Sequence, residues 1–141
     1  MFKGEEITIK VLKGRPISRG CAKGVALVTS KSISFLGSVD PVTGIVVEDG
    51  HELEGKCLSG KVLVFPHGKG STVGSYVMYQ LKKNNVAPAA IINRSAEPIV
   101  VVGAIISDIP MVDSTDPDPI EIIKNGDIVR VDGTKGVVTI L

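Results

Sequence analysis

Apolar and polar residues alternate with period two near the start of the chain. In "EITIKVLKGR", Ile7, Ile9 and Val11 stand between polar neighbours, which predicts a half-buried strand turning those three side chains inward. "GVALVTS" (24–30) predicts a second strand, entered through a turn at Gly20 and Gly24. "SFLGSVDPVTGIVVEDG" follows neither the strand nor the helix period. Its Asp40-Pro41 and Thr43-Gly44 pairs predict a tight, ordered loop. "GKVLVF" (60–65) is a continuous apolar run stopped by Pro66, as expected of a buried strand.

From Thr72 to about Lys83 the spacing turns helical. Val73, Tyr76, Val77 and Leu81 form one stripe, and Lys82 and Lys83 complement the dipole in the last turn. "AAIIN" (89–93) then predicts another buried strand. Strand, glycine-rich loop, helix and strand make a βαβ unit, expected to be parallel and right-handed. "AEPIVVVGAIISDIPMVD" suits helix or strand. Pro98 at a helix start and the recurrence of Ile99, Val102 and Ile106 favour a short helix followed by a strand "PMVD". Between Pro119 and Asn125 a helical turn is expected, and "DIVRVDGTKGVVTIL" reads as a hairpin turning at Asp132-Gly133.

Composition sharpens this picture. The 141 residues suit one domain over 1–141, without repeats or an internal boundary. Aromatics are only 4%, so Val, Ile, Leu and Ala must build the core, and sixteen Gly with eight Pro favour short strands and turns over a helix bundle. A formal net charge of +1 without a basic cluster argues against nucleic acid as a partner. No apolar leader segment is visible, and "PIVVVGAII" is too short to span a bilayer, so a cytoplasmic protein without membrane association is expected. Cys21 and Cys57 stand apart, and with His51 and His67 they cannot supply the ligands of a metal or iron–sulfur site; two free thiols are expected.

The loop "PHGKGSTVG" concentrates the chemistry. It is not a P-loop, because Gly70 follows Gly68-Lys69 and Leu63 stands where the first glycine belongs. It is not a dinucleotide fingerprint either, since Gly68, Gly70 and Gly74 are spaced one residue too wide. Gly68 and Gly70 permit positive φ and close approach of a ligand, and free amides from Ser71 to Gly74 would face an anion, with Lys69 adding a full charge. A small carboxylate or phosphate is the expected guest. From the residues alone Ser71 reads first as a helix N-cap, worth about 1 kcal/mol, and second as a hydroxyl at a positive helix end able to accept a proton. Thr72 could take over the cap. His67 reads as a polar loop residue, an acid/base group or a phosphorylated histidine.

"ISFLGSVDPVTGIV", "GKVLVFPHGKGSTVGSYV" and "NNVAPAAIIN" together resemble the small subunit of the aconitase-X family, most strongly in the first two stretches and over roughly residues 18–141. The resemblance implies an α/β fold, the swivelling β/β/α domain, paired with a large subunit that holds an iron–sulfur cluster acting as Lewis acid. It implies a hydro-lyase reaction, the removal of water from phosphomevalonate in an archaeal mevalonate route. Ser71 would then be the proton acceptor, with Lys69, Gly70 and Thr72 opposing charge that builds on the substrate carboxylate. One departure stands out: Val73 occupies the place where the broader aconitases are expected to carry an arginine.

Three further readings remain open. A sister branch of the same family dehydrates a hydroxyproline. A phosphohistidine carrier domain shares the swivelling fold, although His67 does not follow Ser or Thr as expected there; a scaffold without catalysis is a third class. The glycine loop and "SFLGSVDP" are expected at the partner surface, and Lys31, Arg19 and Arg94 are available for a phosphate.

Overall fold

The computed structural model describes residues 10–141. Seven strands close into a barrel in the order β1-β5-β4-β3-β2-β6-β7. In chain order these are β1 (Lys10–Ser18), β2 (Cys21–Val28), β3 (Val62–Phe65), β4 (Ala90–Asn93), β5 (Met111–Asp116), β6 (Ile128–Asp132) and β7 (Val137–Ile140). The neighbours β2, β3, β4 and β5 are parallel, as the βαβ pattern requires. β6, β7 and β1 complete the circle through antiparallel pairs. Four helical segments join them: the kinked turn α1 (Phe35–Ser38), α2 (Gly74–Lys83), α3 (Pro98–Ile106) and the single turn α4 (Pro119–Ile122).

The apolar run of β3 serves two cores. Val62 and Val64 point into the barrel with Ala26, Ala90, Ile92, Val112 and Val138. Leu63 and Phe65 point outward, into a second core beneath α2, α3 and the 33–58 loop. A strand buried on both faces must be apolar at every position. Phe35 from the loop meets Phe65 edge-to-face at 6.1 Å and pins that loop to the barrel wall. The irregular segment is ordered as expected, held by bridges between Val39 and Val46 and between Ile45 and Cys57.

Three predicted faces need correction. Ile7 and Ile9 lie outside the described residues, and Val11 is exposed while its neighbour Leu12 is buried in the barrel. Adjacent apolar residues left the phase of this strand open, and barrel closure selects the other face. In α2 the core takes Val77, Met78 and Leu81, whereas Val73 and Tyr76 of the expected stripe are exposed. In α3 the helix and its Pro98 start are as expected, but Val100, Gly103 and Ala104 are buried and Val102 and Ile106 face outward. The α2–α3 contact selects these faces: a Cβ on Gly103 would lie 2.3 Å from Met78 Sδ, so only the smallest side chain fits at the crossing. Among the described residues, no helix is long and apolar enough to cross a membrane.

Candidate functional site

The segments that follow β2, β3, β4 and β5 emerge at one end of the barrel, the carboxyl ends of the parallel strands, where open α/β sheets place their ligands. The glycine loop lies there, between Phe65 and α2. Its first half rides on the segment after β2. Ile33 and Gly68 form a parallel bridge, and the Lys69 amide donates to the Ile33 carbonyl at 3.0 Å. Gly68 is buried and does not take positive φ. A Cβ there would lie 2.4 Å from Val100 Cγ2 and 2.5 Å from Glu97 Oε1, so its role is to fit beneath the start of α3 rather than to approach a ligand. Gly70 does take positive φ, at 90°.

Ser71 is not the helix cap. The N-cap position of α2 is Val73, and it carries no side-chain cap bond. Instead the Ser71 hydroxyl accepts from the Val73 amide at 3.1 Å, and the Ser71 carbonyl accepts from Gly74 at 2.9 Å. Thr72 does not cap either; its carbonyl accepts from Ser75. The Val73 and Gly74 amides, expected to face an anion, are thereby occupied. Among the described residues, the amides of Gly70, Ser71 and Thr72 donate to no protein acceptor. Three consecutive free N–H groups thus stand before a helix start, beginning one residue earlier than the sequence suggested.

Side chains around the loop set its charge. Lys69 is exposed and lies close enough to Glu48 to help hold that carboxyl below its usual range, although the main cause is the hydrogen bond from Ser38 to Glu48. Glu97 caps α3, its carboxylate accepting from Ile99 at 3.1 Å and Val100 at 2.9 Å. Behind it, Asp113 is fully buried; burial pushes its carboxyl upward, but the Arg15 fork at 2.6 and 2.8 Å and the Ala96 amide at 2.8 Å hold it below the usual range. This pair anchors the turn between β4 and α3 against which Gly68 rests.

The structure brings Lys69, Gly70, Ser71 and Thr72 into one exposed turn. His67 is separate from them in chemistry: its Nδ1 donates to its own neighbour, the Gly68 carbonyl at 2.9 Å, and it has no carboxylate partner among the described residues. Arg94 is paired with Asp118 at 3.0 Å. Arg19 follows the end of β1 that pairs with the start of β5, so it sits at the opposite end of the strands. Lys31 follows β2 at the loop's own end. Sequence reasoning missed Ser34, Glu48 and Glu97. Only Glu97 carried a signal, as the residue before a proline-started helix.

A mixed barrel presenting a glycine-rich helix start at the ends of its parallel strands is a swivel-type domain, and the family profile of the aconitase X swivel domain matches residues 11–140. The chain belongs to that family. It is 67% identical over 129 residues to the phosphomevalonate dehydratase small subunit of Methanosarcina mazei, covering 92% of this chain and 90% of the relative. It is 62% identical over 135 residues to the protein of the same name from Methanococcoides burtonii, covering 96% and 98%. The crystal structure of Thermococcus kodakaraensis aconitase X in its holo form superposes with a TM-score of 0.89 at 57% identity, covering 94% of this chain and 98% of that one. The relatives named as small subunits favour the phosphomevalonate branch over the hydroxyproline and phosphohistidine-carrier readings.

Proposed function

We propose that this chain is the small subunit of a phosphomevalonate dehydratase and that Ser71 is the general base of the reaction. The observation that carries the reading is the set of free amides at Gly70, Ser71 and Thr72 beside a serine hydroxyl that already accepts a hydrogen bond from Val73. The proton leaves the carbon next to the substrate carboxylate and passes to Ser71 Oγ. The electron pair left on carbon forms the double bond as the hydroxyl departs from the adjacent carbon. Charge builds on the carboxylate oxygens, where the free amides and Lys69 oppose it. A free hydroxyl is too weakly acidic to ionise at neutral pH; the Val73 N–H and the start of α2 favour its alkoxide.

An iron–sulfur cluster is implied by the aconitase-like family, and this chain does not fit one. Cys21 and Cys57 are single thiols on different elements, and no group of three His, Cys, Asp or Glu among the described residues could hold a metal. We therefore assign the cluster to the large subunit that the relatives' name implies. The complete enzyme would be cytoplasmic, taking its small anionic substrate from solution.

The test is reconstitution with the large subunit. Ser71→Ala should assemble normally, lose turnover by at least about 10²-fold and no longer exchange the proton at the carbon next to the carboxylate with deuterated solvent. Near-normal turnover by that variant removes Ser71 from the mechanism.

A further inference from the structure

Between α2 and α3 runs a groove of about 420 Å³, lined by Thr72, Ser75, Tyr76, Ile99, Val102 and Ile106. Its walls are the parts of the two helices that the protein's own core leaves unused. Tyr76 is 67% exposed, Val102 49% and Ile106 43%, with Val73 at 46% and Leu36 at 44% beside the same loop. α3 reads "PIVVVGAII" and has no polar side chain on any face. A helix that is apolar all round belongs in an interior, yet α3 buries only Val100, Gly103 and Ala104 against its own chain. Other exposed apolar residues, such as Val42, lie outside this groove and call for no partner.

We propose that this groove is the seat of the large subunit, which lays an apolar, uncharged surface along α3 and over Tyr76. The inference rests on reading the chain as a small subunit. Thr72 lines the groove and follows Ser71 directly, so a partner seated there reaches the catalytic turn without a gap. Two internal contacts make the groove a rigid template. Ser75 Oγ donates to the Ile99 carbonyl at 2.8 Å, and Gly103 holds the two helices at close range through Met78. A second copy of this chain is the weaker occupant: it would bring another apolar groove and serine loop, but nothing to act on the departing hydroxyl.

The test compares Val102→Asp, Ile106→Glu and the double variant with Val42→Asp, all in the full chain. Binding to the purified large subunit should weaken at least tenfold for each groove variant and about 100-fold for the double, and stay within twofold for Val42→Asp. The thermal melts of the isolated small subunits should coincide, because these side chains point away from the core. At saturating small subunit, Val102→Asp should recover near wild-type turnover, the reverse of Ser71→Ala, which binds but does not turn over. A photo-cross-linking residue at position 102 should capture the large subunit, and one at 42 should not, which keeps the proposal testable even where an acidic variant folds poorly. Undiminished binding by the double variant, or a wild-type homodimer that the groove variants dissolve, overturns the proposal. Binding lost as expected with Ser71→Ala fully active would leave the docking face standing and overturn the catalytic reading alone.

Discussion

Gly70 turns its α-carbon onto Ser34: a Cβ there would lie 2.4 Å from Ser34 Oγ, and the residue sits at φ 90°. The hydroxyl of Ser34 is itself committed to the Leu36 carbonyl at 2.9 Å, so it cannot swing aside freely. Gly70→Ala should therefore cost about 1–2 kcal/mol through backbone strain and lower turnover more than stability, because the free amides beside Ser71 move with it. Adding Ser34→Ala should relieve the contact but not the φ strain. Paired melting curves and steady-state rates distinguish the two contributions.

Glu97 links two functions in one carboxylate, capping α3 and lying against Gly68. Glu97→Ala should lose about 1 kcal/mol as a missing cap. It should also loosen the glycine loop, seen as faster amide hydrogen exchange from Lys69 to Thr72. Unchanged exchange there, with the stability loss present, would confine Glu97 to capping.

Asp113 gives the fold an acid limit. Its folded-state carboxyl titrates below the usual range, so its contribution is complete at neutral pH and is lost as the pH falls through the folded value, below about pH 4. Asp113→Asn should lower stability at pH 7 and flatten the decline as the pH falls below about 4. The residual slope should reflect Glu48 and Glu52, which are also held low, chiefly by hydrogen bonds from Ser38 and Thr29. Urea midpoints across that range provide the measurement.

Gly103→Leu should force α2 and α3 apart at Met78 and destabilise the chain by about 1–3 kcal/mol. Combined with Met78→Ala the loss should be smaller than the sum of the two single losses, since each change makes room for the other. Strict additivity by chemical denaturation would mean that the helices do not meet where the structure places them.

The local elements were legible in the sequence because each carries its own period. The β3 run, the α2 spacing, the Pro98 start of α3 and the final hairpin all appear where expected. Which face of each helix is buried was not legible. Val73, Tyr76, Val102 and Ile106 are apolar at helical spacing, and only the crossing at Gly103 decides that they face outward. The Ser71 cap failed for a related reason: the residues before α2 form a turn of their own, so the helix opens two residues later than a cap at Ser71 would allow. Barrel closure depends on Lys10 pairing with Ile140, a contact no local pattern encodes. The glycine loop's chemistry was readable as residue types, but its fit under Glu97 and against Ser34 required the tertiary fold.

Because β1 pairs with both β5 and β7, every strand of the barrel has a neighbour on each side. Among the described residues the protein therefore presents no open strand that another chain could extend into a fibril. The groove between α2 and α3 is instead built of side chains, a kind of contact that forms and releases without remodelling backbone. A partner docking on that groove would leave the barrel closed and its ladder of backbone hydrogen bonds intact.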